Sequence, residues 1–260
     1  ISISAVLGDQ QAAAFGQACF EKGSVKSTYG TGAFVIMNTG KKKLISKSKL
    51  LTTICYRLNN KNTFAIEGSI FVAGAGIQWL RDKIRLINNA SEAEKIAKSK
   101  ENNGGVYIVP AFTGLGAPHW DMNARGLITG LTRGSNRNHI IRAALESIAY
   151  QVNDLLDAIF KDLDYTITSL KVDGGATANN FLMQFQANLL QIKIDRSKNI
   201  ESTAFGVAML AGLKAGFWRN PTEIKRMRHS DKIFINTIND NTRTKLLQDW
   251  KKAVERAQFI

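Results

Sequence analysis

The sequence predicts an α/β fold, because short β-prone runs alternate along the chain with segments whose apolar residues recur at helical spacing. The junctions between them support the same class. Gly30-Thr31-Gly32 separates two β-prone runs as a hairpin tip would, and Val172-Asp173-Gly174-Gly175-Ala176 reads as a strand running through two glycines into a helix. With 260 residues, 44% of them hydrophobic, the chain has enough length for one generous domain or two small ones around a sizeable core.

In chain order, Val6 to Asp9 reads as a short strand that turns into an alanine-rich helix reaching about Glu21, with Gly23 as its stop. The apolar pattern Ile1, Ile3, Val6 suggests a strand entered mid-chain, and hence a piece of something longer. Residues 26–29 and 33–38 form the hairpin, and Asn38-Thr39-Gly40 closes it. Residues 50–57 and 63–67 are further strands, 69–87 a glycine-interrupted helix, and 91–100 a polar helix. After the Asn102-Asn103-Gly104-Gly105 turn comes a short strand over 106–109. A long irregular stretch rich in glycine and aromatics follows over 110–123, of the kind that often carries function. Residues 139–160 place Ile140, Ala144, Ile148, Val152, Leu155, Leu156 and Ile159 on one helical face, and the other face is expected to be polar. Then follow strand 169–172, helix 179–190, strand 193–195 and an alanine-rich helix 203–215 ended by Gly216. Residues 1–220 are expected to form one domain. Residues 221–260 are expected to be a polar tail packed on it, ending in one amphipathic helix with Leu246, Leu247, Trp250 and Val254.

Charge and cysteine usage bound the function classes. Lys and Arg number 35 against 21 Asp and Glu, a formal net charge of +14, which suits nucleotides, nucleic acid or an anionic surface. Cys19 and Cys55 have neither metal-ligand spacing nor disulfide-scaffold density, which favours a reducing, cytoplasmic setting. The first residues lack the basic and long apolar regions of a signal peptide, and the most apolar stretch, 64–80, carries Glu67 and three glycines, unlike a membrane span. His119, His139 and His229 show no metal-site spacing. Lys41-Lys42-Lys43, Lys47 and Lys49 make a charge run without interleaved aromatics, the usual mark of a solvated face rather than a nucleic-acid surface.

Three constellations could carry chemistry. Asp9 beside Gln10, with Thr31 between glycines, suits transfer from phosphate to a hydroxyl: the carboxylate can take a proton, and glycines let backbone amides approach phosphate oxygens. An ordinary N-cap and a plain hairpin turn would look the same. Asp173 to Asn180 presents amides and a flat glycine surface at a helix start, suited to a purine or a phosphate, or simply to close packing. Gly74-Ala75-Gly76-Ile77-Gln78 offers a third glycine-lined surface, which helix packing alone would also explain. Neither a dinucleotide fingerprint nor a Walker-type loop occurs.

Taken together and in order, these motifs resemble the C-terminal half of the glycerol kinases, within the FGGY family of carbohydrate kinases. The resemblance runs through Gly8-Asp9-Gln10-Gln11, Tyr29-Gly30-Thr31-Gly32, Glu67-Gly68, Ile77-Gln78-Trp79-Leu80-Arg81-Asp82, the stretch from Pro110 to Asp121, Gly130 to Gly134, His139 to Tyr150, Val172 to Ala176, Asn179 to Gln186 and Thr203 to Gly206. The Pro110 to Asp121 stretch separates glycerol kinases from xylulose, gluconate and ribulose kinases. The resemblance implies the actin-like ATPase (ribonuclease H-like) fold, as the C-terminal half of a two-domain kinase that uses ATP and Mg²⁺ to phosphorylate glycerol in the cleft between domains. By resemblance, Asp9 is the general base, Gln10 binds glycerol and Phe34 packs on its carbons. Thr31 and Gly32 lie at the phosphates, and Gly74, Gln78, Gly175 and Asn179 line the nucleotide pocket. The family's N-terminal domain supplies a phosphate loop, an acidic metal-binding residue and most polar contacts to glycerol, and none of its motifs occurs here. The implied partner is therefore that N-terminal half, without which the chain is expected to be inactive. His119 stands where the family has Tyr, Met122-Asn123 where it has Pro-Tyr, and the chain beyond Asn220 departs further. The competing reading is a non-catalytic module of the same fold, binding nucleic acid or an anionic surface through its positive charge.

Overall fold

A computed structural model describes residues 2–163 and 166–258. The elements in order are α1 (Asp9–Gly16), β1 (Val25–Tyr29), β2 (Ala33–Gly40), β3 (Leu51–Leu58), β4 (Lys61–Ile70), α2 (Gly74–Asp82), α3 (Ala90–Lys98), β5 (Tyr107–Val109), β6 (Leu127–Thr129) and α4 (Arg137–Lys161). There follow β7 (Ser169–Asp173), a short 3-10 turn Gly175–Ala178, α5 (Asn180–Leu190), β8 (Lys193–Ser197), α6 (Ser202–Ala215), α7 (Pro221–Met227), β9 (Ser230–Phe234) and α8 (Asp240–Gln258).

Seven strands form one mixed sheet in the order β3-β4-β2-β1-β7-β8-β9. The hairpin strands β1 to β4 pair antiparallel, β1, β7 and β8 run parallel, and β9 returns antiparallel on β8. Because strand side chains alternate between faces, the pattern of β2 divides the core. Val35 and Met37 join α2, α4, α5 and α8 on one side, whereas Ile36 joins Phe15, Cys19, Cys55 and Met209 on the other. Helices thus cover both faces, as the parallel strands require.

The structure departs from the sequence reading where tertiary packing overrides local pattern. Residues 2–8 form no strand: Ile3 and Val6 point outward at 83% and 79% exposure, and no strand of the sheet pairs with them. Helix α1 stops at Gly16 rather than near Glu21, because Ala18 takes a positive φ of 51° that turns Cys19 into the core. Residues 69–70 complete β4, so only Gly74–Asp82 of the expected 69–87 helix is helical. The second face of α4 is not polar to solvent. It is enclosed by α2, α3, α5, β4 and β5, and Arg142, Glu146, Ser147, Gln151 and Asn153 are all buried. Most of those polar groups find partners inside: Arg142 Nε donates to Glu146 at 2.6 Å, its Nη1 reaches the carbonyls of Ala97 and Lys100, and Asn103 Nδ2 donates to Glu146 at 2.9 Å. Beyond residue 220, α7 and β9 accompany the expected helix α8, and β9 is the seventh strand of the sheet. Trp250 of α8 stacks on Tyr150 of α4 with ring centroids 5.0 Å apart.

Two glycines set the contact that carries α1. A Cβ on Gly206 of α6 would lie 1.8 Å from the Ala12 carbonyl oxygen, and one on Gly16 would lie 2.2 Å from that of Ser202. The helices therefore meet backbone to backbone, which no larger residue permits. Gly206→Ala is expected to destabilise the fold by about 1–3 kcal/mol or more, read as a lower urea midpoint at unchanged m-value.

Candidate active site

Most of the residues expected at a nucleotide lie around one cavity. Its volume is about 590 Å³, and Thr31, Gly74, Gln78, Gly175 and Asn179 line it, with Gly30 beside them. Six elements meet there: the β1–β2 turn, α2, α3, α4, the turn after β7 and the start of α5. Gly32, the sixth expected residue, does not line the cavity but stands next to Thr31 in the turn, where a Cβ would come within 2.5 Å of the Ile70 carbonyl oxygen.

The turn is held by α2. The N–H groups of Gly74 and Ala75 donate to the carbonyls of Gly30 and Thr31, both at 3.0 Å, and that of Ala73 donates to Thr31 at 2.9 Å. A Cβ at Gly74 would sit 2.6 Å from the Gly30 oxygen, so this docking requires glycine. The N–H groups of Thr31 and Gly32 are left without an acceptor among the described residues. Beside the end of β1, Gly174 adopts φ 90°, a value open to glycine, and leads into Gly175, which lines the cavity. A Cβ at Gly175 would meet no atom within 4 Å, so this position is a flat surface facing open space. Asn179 caps α5 by accepting from Leu182 N at 2.9 Å, which leaves its amide nitrogen uncommitted. Sequence reading missed the apolar wall of Ile77, Leu145, Ile148 and Leu182, and the rim residues Arg81, Ser91 and Glu94. The wall residues look like ordinary core positions at helical spacing. The rim depends on how α3 packs, which no local motif shows.

Asp9, Gln10 and Phe34 occupy a second group of positions. Asp9 is the first residue of α1 and is exposed. It is not the N-cap, a position held by Gly8, so its carboxylate makes no capping bond. Gln10 Oε1 accepts from Lys26 Nζ at 2.6 Å. Phe34 of β2, 38% exposed, stands across from Thr28 of β1 and Ser69 of β4. Glu67 of β4 is near Lys26 and takes part in the same polar group, its Oε2 accepting from Gln11 Nε2 at 3.5 Å; burial pushes its carboxyl above the usual range, with Lys26 acting against that. Strand β1 links the two groups, with Lys26 touching Gln10 at one end and Tyr29 to Thr31 entering the cavity at the other. The turn after β7 is anchored from α1 as well: Gln17 Nε2 donates to Asp173 Oδ2 at 2.8 Å, next to Gly174.

Elsewhere, His119 Nε2 lies 3.3 Å from Asp154 Oδ2, which also accepts from Trp250 Nε1 at 2.7 Å. His119 thus ties the long 110–123 stretch to α4 and α8. Among the described residues no group of three or more His, Cys, Asp or Glu is placed to hold a metal ion, and no helix is long and apolar enough to cross a membrane.

The helix-covered mixed sheet, with glycine turns converging on one cavity, is a domain of the actin-like ATPase fold. The chain belongs to the FGGY family of carbohydrate kinases: residues 25–215 match the model of that family's C-terminal domain. Within it, the chain is similar to glycerol kinases. It is 56% identical over 257 residues to glycerol kinase of Caldanaerobacter subterraneus subsp. tengcongensis, covering 99% of this chain and 52% of that protein. With glycerol kinase of Clostridium perfringens it is 56% identical over 258 residues, with the same coverage. Among solved structures, the glycerol kinase of Plasmodium falciparum with ADP superposes with a TM-score of 0.91 at 45% identity, covering 96% of this chain and 50% of that one. A ligand-bound xylulose kinase from Lactobacillus acidophilus shares the fold, with a TM-score of 0.81 at 20% identity over 94% of this chain and 49% of that one. The chain spans about half the length of the curated relatives it matches. None of these comparisons supports the alternative of a nucleic-acid or anionic-surface module.

Proposed function

We propose that this chain is the nucleotide-binding half of an ATP-dependent glycerol kinase, which converts glycerol and ATP to glycerol 3-phosphate and ADP in the cytoplasm when joined to an N-terminal domain. The observation that carries the reading is the cavity. Its open glycine surface at Gly175 and its unpaired turn amides suit a nucleotide, in a chain 45% identical to a glycerol kinase solved with ADP.

Each residue has a task that its position allows. Ile77, Leu145 and Ile148 give the base an apolar wall, Gly175 gives it a flat face, and Asn179 and Gln78 offer polar groups at the edge. Thr31 and the turn amides receive phosphate oxygens, where developing charge needs donors already in place. Asp9, exposed and free of capping bonds, accepts the proton of the attacking hydroxyl, while Gln10 orients that hydroxyl and Phe34 covers the glycerol carbons. A Mg²⁺ arriving with the nucleotide would be held largely by phosphate and water oxygens, and would neutralise the phosphate charge beside Thr31.

The test is complementation. The chain alone is expected to bind ADP by calorimetry yet to phosphorylate glycerol at no measurable rate, because an open half-site cannot hold both reactants in line; that positioning is worth about 7–11 kcal/mol. Adding the N-terminal half of a glycerol kinase is expected to restore glycerol phosphorylation. Activity of the mixture on xylulose or gluconate but not on glycerol would overturn the reading.

A further inference from the structure

Lys26 is 0% exposed, among the largest fully buried side chains of the protein, and a buried lysine needs partners. Its Nζ donates to Gln10 Oε1 at 2.6 Å and to Thr28 Oγ1 at 2.8 Å. Thr28 lies two residues along the same face of β1 and three before Thr31. The titratable groups around the ammonium come from several elements: the carboxylates Asp173 of β7 and Glu67 of β4, and the neutral thiols of Cys19 and of Cys55 of β3. Lys171, the register neighbour of Lys26 on β7, turns away to the carbonyls of Gln17 and Ala18, at 2.8 and 3.0 Å. Burial pulls the Lys26 ammonium down to about 8, with Asp173 the largest opposing influence.

An ammonium donates three hydrogen bonds and accepts none. The Gln10 atom facing it must therefore be the carbonyl oxygen, which settles the amide orientation on chemical grounds. The Gln10 NH₂ then points away from Lys26, and it has no acceptor among the described residues. We infer that Lys26 is a positioning residue: it fixes the Gln10 amide so that this half-site presents an N–H donor to a substrate hydroxyl oxygen beside Asp9. A hydroxyl that accepts from Gln10 keeps its one proton for a base, the role proposed for Asp9 at the adjoining first position of α1. The inference rests on the proposed kinase reading for the identity of the hydroxyl, but not for the amide orientation itself.

Two measurements test it. In ¹H–¹⁵N spectra of the chain, the Gln10 side-chain amide, assigned by its loss in Gln10→Ala, is expected to shift with pH through a single midpoint near 8. Lys26→Met is expected to remove that midpoint. In the complemented enzyme, Lys26→Met is expected to raise the KM for glycerol at least tenfold while ADP affinity stays within twofold. Gln10→Glu, which keeps an acceptor toward Lys26 but turns an acceptor toward the substrate, is expected to raise it likewise. A Gln10 side-chain amide resonance unchanged in position between wild type and a folded Lys26→Met or Lys26→Gln protein would overturn the inference. So would glycerol KM and ADP dissociation constant rising together, which marks a purely structural lysine. If wild-type complementation yields no glycerol phosphorylation, the kinase reading falls and the spectra alone decide on Lys26.

Discussion

Gly175→Trp is expected to abolish ADP binding by this chain, raising the dissociation constant more than 100-fold in calorimetry, with unchanged circular dichroism and unfolding midpoint. The expectation follows from an asymmetry among the glycines. At Gly16, Gly74, Gly174 and Gly206 an added Cβ would strike backbone within 2.6 Å, so substitution there damages the fold. At Gly175 it would meet nothing within 4 Å, and the backbone needs no positive φ. The indole is expected to enter the cavity that Gly175 lines and to occupy the face proposed for the base. Undiminished ADP binding in a folded Gly175→Trp protein would remove this cavity as the nucleotide site.

The second large effect is on turnover. In the complemented enzyme, Asp9→Asn is expected to lower kcat for glycerol about 10²–10⁴-fold, the usual contribution of a positioned base. ADP affinity is expected to stay within twofold, since Asp9 does not line the cavity. Stability should fall by no more than about 0.3–1 kcal/mol, the interaction of a first-turn carboxylate with its helix terminus. A kcat within fivefold of wild type would take the base role away from Asp9. The pair of substitutions separates the two ends of the site: one removes binding without chemistry, the other chemistry without binding.

How far the sequence disclosed this architecture depended on whether local signals agreed with their surroundings. The β1–β2 hairpin was legible because Gly30-Thr31-Gly32 interrupts two β-prone runs, and α5 because Asn179 caps it. Of the six residues expected at the nucleotide, five line the cavity and Gly32 adjoins it, since ordered motifs brought them forward together. The full burial of α4 was not legible: its polar residues look like a solvent face until Ala97, Lys100 and Asn103 are known to receive them. Strand β9 was hidden because Ser230-Asp231-Lys232 is polar; only the ladder with β8 makes it a strand. Lys26 was read merely as the start of a strand, because nothing in a lysine's neighbours along the chain says that it will be enclosed.

The backbone contact between α1 and α6 has a consequence for how this protein can change over time. Where helices meet through side chains, a substitution in one is absorbed by a new rotamer in the other. Gly16 and Gly206 offer no such slack, so any displacement of α6 passes undiminished to the helix that begins with Asp9 and Gln10. Drift is therefore cheap on the outer face of α8 and in the polar loops. It is costly at residues that seat α6, whose variants would reach the Asp9 end of α1 without touching it.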